Sequence, residues 1–295
     1  MSDASERQVA EPVPPEEEPP LFDFEMQEPI APAVAGRFED LAPRLVTAAL
    51  LLVVGLAAIW TGGLIFAALI SVAVALMIWE LATMARTGPR RTWLLATTGG
   101  GTLFLSNLLP VGFGLPLMML VPMLAIATIR ENRRLLVFFP IAIMLAGLGL
   151  TQHLINFGFW WMIWFILVVV ASDVMGYFAG RILGGPKFWP RVSPKKTWSG
   201  TVAGWLGAAA VGWVWVVWQD AGWETVGISV ALAMMAQMGD IAESAVKRRF
   251  GVKDSSALLP GHGGLFDRFD AMLGAALMLL VIESVAEFPP VPGIG

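Results

Sequence analysis

Residues 156–175 read NFGFWWMIWFILVVVASDVM, an apolar run with no charge until a single acid, Asp173, near its end. About 18 consecutive apolar residues are enough for a helix to cross the hydrocarbon core of a bilayer. Working outward from this run, eight more of the same kind lie at residues 44–60, 63–84, 92–109, 112–129, 135–151, 200–218, 223–242 and 271–287. The chain therefore reads as an all-α polytopic membrane protein of about nine transmembrane helices. Pro110, Pro116 and Pro122 interrupt the third and fourth runs, which predicts kinked or partly re-entrant segments there. Composition agrees, since 57% of the residues are hydrophobic and only 14% are charged, against a charged share of roughly 25% in soluble domains.

The basic residues give an orientation, because cations collect on the cytoplasmic side of membrane helices. With nine spans, all 19 Lys and Arg residues fall on one face. They precede the first span or follow the second, fourth, sixth and eighth. The opposite loops, such as Thr151-Gln152-His153 and Gln219-Asp220-Ala221-Gly222-Trp223-Glu224, are neutral or acidic. A cytoplasmic N-terminus, an exoplasmic C-terminus and an inner-membrane location are expected. Residues 1–43 differ from the rest, with eleven acids, two basic residues and eight prolines; they read as a disordered acidic cytoplasmic tail. Residues 44–155 then hold the N-terminal transmembrane helices. Residues 156–295 hold the remaining helices and the polar cytoplasmic loops.

Absence of cysteine excludes disulfides, thiolate metal ligands and a cysteine nucleophile. Two histidines, His153 and His262, are too few for a three-histidine zinc site. Any metal would then be held by carboxylates, which suit a hard cation such as Mg²⁺.

Acids beside membrane spans are costly and call for a reason. Asp173 ends the sixth span, Asp240 and Glu243 end the eighth, and Asp267 and Asp270 open the ninth, so five carboxylates reach the cytoplasmic interface. Asp240, Glu243, Ser244 and Lys247 stand at helical spacing and share one face, as do Asp267 and Asp270. Paired carboxylates among lysines and arginines can hold Mg²⁺ and clamp phosphate oxygens; interhelical ion pairs are the alternative. Two loops bear on the choice. Ser193-Pro194-Lys195-Lys196-Thr197 precedes a helix whose N-terminus favours anions such as a triphosphate, although a basic loop also attracts anionic lipid. The second loop runs from Lys253-Asp254 to Gly261-His262-Gly263-Gly264, where glycines let backbone N–H groups approach a phosphate.

From Ser244-Ala245-Val246-Lys247-Arg248, through Lys253-Asp254, to His262-Gly263-Gly264-Leu265-Phe266-Asp267-Arg268-Phe269-Asp270, the sequence resembles the C-terminal signature of phosphatidate cytidylyltransferases, or CDP-diacylglycerol synthases. Asp173 with Tyr177-Phe178, the stretch from Ser193 to Thr197, and Gly239-Asp240 with Glu243-Ser244 are similar to the family's other polar motifs, in the same order. The strong resemblance spans residues 171–275. This chain departs from the pattern at Ser199, where relatives usually carry Glu, at Ser256, commonly Gly, and at Ala271, commonly Ser.

The resemblance implies that CTP and phosphatidic acid react to CDP-diacylglycerol and pyrophosphate, in phospholipid biosynthesis. It implies Asp240 and Asp267 as metal ligands, with Asp173 and Asp270 as further ones, for two divalent ions or for one plus a monovalent ion. Asp240, Asp267, Lys196 and Arg268 are the expected catalytic groups. Ser193, Lys195, Lys196, Thr197, Ser244, Lys247, Arg248, Lys253, His262, Gly263 and Gly264 are the expected substrate-binding set. Partners would be CTP, phosphatidic acid and membrane lipid, with no nucleic acid; a homodimer is the assembly to test. Another lipid-phosphate nucleotidyl or phosphoryl transferase would use the same groups. A transporter, from a different class, should show repeat symmetry and charges near the bilayer midplane, and the sequence shows neither.

Overall fold

The structure, a computed structural model, describes residues 41–289 apart from Arg191, Pro260 and His262. Most of the acidic tail and the expected ligand His262 thus lie outside the described residues. The chain forms α1 (Leu41–Thr61), α2 (Gly63–Met84), α3 (Pro89–Ser106), α4 (Val111–Met118), α5 (Leu120–Thr128), α6 (Arg133–Ile182), β1 (Lys187–Trp189), β2 (Ser193–Thr197), α7 (Trp198–Trp218), α8 (Glu224–Arg249) and α9 (Phe266–Val285). Four of these, α2, α6, α7 and α8, are long and apolar enough to cross a membrane. In contrast, α3 opens on Arg90 and Arg91, and α9 carries Asp267, Arg268, Asp270 and Glu283, so their apolar stretches are shorter.

The proline-interrupted fourth run becomes the two short helices α4 and α5, as the prolines foretell. The fifth and sixth runs meet within α6, where Gly158 leaves helical geometry at φ 80° and ψ −170°. That backbone region is open essentially to glycine alone. Beside the break, buried His153 pairs with Glu283 near the end of α9 at 2.5 Å. Expectation and structure differ in one further place. The loop before α7 folds as a two-stranded antiparallel hairpin, with Lys187 opposite Thr197 and Trp189 opposite Ser193.

Two apolar clusters hold the helices together. One gathers Phe66 of α2, Leu154, Trp164 and Phe165 of α6, Leu232 of α8 and Leu279 of α9. The other joins Ile78 and Leu81 of α2 to Leu103 of α3, Leu136 of α6, Val246 of α8, and Leu265 and Phe266 at the start of α9. On the outside, Leu206, Val217 and Val281 are exposed, as suits a surface in contact with lipid tails. Lipid removes most of the hydrophobic drive between helices, so close packing through small residues takes its place. The tightest example is α8 on α9. A side-chain carbon on Gly239 would strike the carbonyl of Asp270 and lie 2.9 Å from the Gly274 nitrogen, and one on Gly274 would strike the carbonyl of Met235.

Candidate functional site

That glycine contact sets the carboxylates. Asp240 follows Gly239 on α8, and the carbonyl touching Gly239 belongs to Asp270. One turn on, Glu243 is buried at 1% exposure. Asp240, Glu243 and Asp270 each present an oxygen within 4.8 Å of the other two. A Mg²⁺ ion about 2.1 Å from each ligand needs oxygens no more than about 4.2 Å apart. A small closure of this cluster would meet that limit, and an all-oxygen donor set is the one that a hard cation prefers. Asp173, on α6, is exposed but within electrostatic range of Asp240 and Lys196.

Two ammonium groups balance the acids. Lys196, from β2, reaches Asp240 at 2.5 Å and also donates to the carbonyl of Gln237 at 3.3 Å. Lys247 lies 2.7 Å from both Glu243 and Asp267. The helical face expected from the sequence is visible in two contacts: Lys247 to Glu243, and Ser244, which donates to Asp240 at 3.4 Å.

Asp267 is differently engaged. Its Oδ1 accepts from Lys247, while its Oδ2 accepts from the backbone N–H groups of Ser255 and Gly264, each at 2.8 Å, and from the Ser255 hydroxyl at 2.9 Å. The structure thus brings Asp240 and Asp270 together as expected, adds Glu243 to them, and joins Asp267 to the group through Lys247. Gly263, at φ 83°, permits the turn; a side-chain carbon there would stand 2.9 Å from Asp267 Oδ2.

The hairpin supplies the remaining polar groups. Thr197 caps α7, accepting from the Gly200 N–H at 3.2 Å, so its hydroxyl serves the helix N-terminus. Ser199 lies 3.0 Å from the Thr197 hydroxyl and donates to the carbonyl of Gly184, a bond that a glutamate could not give. Gln237 fastens α7 to α8, accepting from Trp205 at 3.1 Å and donating to the Thr201 carbonyl at 3.2 Å. Ser193 is half-buried at the hairpin, and Lys195, Arg248, Lys253 and Arg268 are exposed.

A buried acid from an earlier helix is also absent from the sequence-based set. Glu80, on α2, has no exposed surface and accepts from Ser256, Leu265 and Phe266 at 2.6, 2.8 and 2.7 Å. The same reasoning that singled out Asp173 applies to it, since an acid inside the apolar run of residues 63–84 also calls for a reason.

Carboxylates and ammoniums gathered where apolar helices end define a membrane protein with a polar site suited to a cation and phosphates. The chain belongs to the cytidylyltransferase family, whose sequence model matches residues 42–285. It is 36% identical over 270 residues to a phosphatidate cytidylyltransferase of Brucella suis biovar 1 (strain 1330), covering 86% of this chain and 97% of that protein. A protein of the same name from Brucella melitensis biotype 1 is 36% identical over 271 residues, with the same coverage. One from Staphylococcus saprophyticus is 40% identical over 128 residues, or 42% of this chain and 49% of the other.

Proposed function

We propose that the chain is a phosphatidate cytidylyltransferase. A phosphate oxygen of phosphatidic acid attacks the α-phosphorus of CTP; a new P–O bond forms, the bond to the β-phosphate bridge breaks, and CDP-diacylglycerol and pyrophosphate result. The carrying observation is the triad Asp240, Glu243 and Asp270 between Lys196 and Lys247. The attacking oxygen is already anionic near neutral pH, so positioning and charge neutralisation rather than a strong base carry the reaction. Asp240, Glu243 and Asp270 would hold Mg²⁺, with Asp173 beside them. When bound, this ion supplies charge neutralisation on the reacting phosphates. Lys196 would then turn from Asp240 to phosphate oxygens, Lys247 would offer them its remaining hydrogens while keeping its bond to Asp267, and Lys195, Arg248, Lys253 and Arg268 would draw the triphosphate and the lipid headgroup inward. Asp267 would hold Lys247 and the glycine turn in place, a supporting role beside the ligand role that the family resemblance implies.

Nine spans with the site on the cytoplasmic face accord with this reaction. The nucleotide then arrives from water and the lipid from the bilayer, and every basic residue lies on the side from which CTP comes. In the test, purified protein is given labelled CTP and phosphatidate, with and without Mg²⁺. Lipid-soluble label that appears only with the metal supports the reading. A folded preparation that makes none overturns it, and competition by other nucleoside triphosphates reads base selectivity.

A further inference from the structure

The first turn of α9 is held by a side chain from the other end of the sequence. Glu80 Oε1 accepts from the Leu265 N–H and the Ser256 hydroxyl, and its Oε2 accepts from the Phe266 N–H and lies 3.3 Å from the Ser255 hydroxyl. The N–H groups of Leu265 and Phe266 stand where a helix has no carbonyl of its own to offer. The positive end of the helix dipole adds to the attraction for an anion there. The turn closes tightly over the carboxylate, for a side-chain carbon on Gly264 would collide with Ser255 and Glu80.

Adhesion is not what this contact adds. Leu265 and Phe266 are already buried against the apolar cluster of α2, α3 and α6. Apolar packing has little directional preference, whereas four hydrogen-bond directions around a carboxylate fix how far α9 is turned about its axis. That rotation decides where Asp267 and Asp270 point, because Asp267 directly follows the pinned N–H groups and Asp270 lies about one turn further along the same helix. Ser255 extends the link: its N–H and its hydroxyl both face Asp267, and the same hydroxyl also faces Glu80. One hydroxyl hydrogen serves two carboxylates, so a shift of either is felt by the other.

We infer that Glu80 is a positioning residue of the cytidylyl-transfer site, orienting Asp267 and Asp270 through the first turn of α9 and through Ser255. This rests on the function proposed above. The test uses the full chain in lipid nanodiscs. Glu80→Gln keeps the shape but turns an NH₂ group toward hydrogen-bond donors. Groups that support metal ligands typically contribute about 10–100-fold to metal affinity or activity, so this variant should lose about that factor in kcat. KM for CTP should move less than about threefold, because Lys195 and Lys196 of β2 and Arg248 of α8 stand on elements that Glu80 does not pin. Mn²⁺ binding to the substrate-free protein, followed by electron paramagnetic resonance, should weaken about tenfold or more. Glu80→Asp, which retains the charge, should recover part of both.

Wild-type kcat and Mn²⁺ affinity in Glu80→Gln would overturn the inference. So would an activity loss that only tracks the loss of folded protein, with Mn²⁺ affinity unchanged. If Glu80→Gln does not fold, Ser256→Ala removes one donor and leaves the backbone bonds; weakened Mn²⁺ binding is expected, and wild-type binding overturns the proposal. Wild-type protein that forms no lipid product from CTP overturns the functional reading and this inference with it, whereas active wild type beside equally active Glu80→Gln overturns the inference alone.

Discussion

Asp240 touches Lys196 and Ser244 and stands beside the acids Glu243 and Asp270. Asp240→Asn should leave helix packing intact, since the side chain is partly exposed, but remove a ligand charge. Charge stabilisation of several kcal/mol by a bound metal would make the loss in kcat about a hundredfold or more. Turnover per folded molecule checks this, and wild-type turnover would strike Asp240 from the ligand set. Ser199→Ala is expected to be mild, removing one hydroxyl bond to Gly184 worth about 1 kcal/mol; thermal midpoint and rate together would show whether the hairpin loosens. At this scale much could be read in advance. Helical spacing alone aligned Asp240, Glu243, Ser244 and Lys247, because all four lie on one continuous helix. The saturation of Asp267 could not be read that way. It depends on residues 255–264 folding back on α9, and no local period encodes such a loop. Glu80 lay within reach of the rule that acids in apolar runs need partners, but its partners sit some 180 positions away in the chain.

Among the elements, the crossing of α8 and α9 governs the site. Gly274→Ala would force a methyl group onto the Met235 carbonyl, which is backbone and cannot swing aside. Overpacking of this kind typically destabilises by about 1–3 kcal/mol, and here it would also part Asp240 from Asp270. The variant should therefore show both a lower thermal midpoint in detergent and weaker turnover. Wild-type values for both would mean that the helices can separate without consequence. The run-based reading located each apolar stretch, since these have few alternatives in a bilayer, but α6 and α8 each run seven residues beyond the ends read at 175 and 242, and α9 opens five residues before 271. It missed β1 and β2, which are three and five residues long. Strands so short, with Pro190 just after β1 and Pro194 inside β2, lack the alternation that identifies longer ones.

At the scale of the whole molecule, the cysteine-free sequence offers a clean background for mapping its orientation. Gln219→Cys, between α7 and α8, should react with an impermeant maleimide applied to the outside of intact cells, whereas Lys195→Cys should react only after permeabilisation. The opposite pattern would invert the proposed topology and place the site on the wrong side for CTP. Gly158 has its own bearing on how the protein reaches the membrane. A helix of 50 residues without a break would be about 75 Å long, more than twice the roughly 30 Å of hydrocarbon available. Any residue bearing a Cβ at this position would favour that rod. The damage from Gly158→Ala should accordingly appear during biogenesis, as chains that fail to integrate and are degraded, before any assay of chemistry could register it.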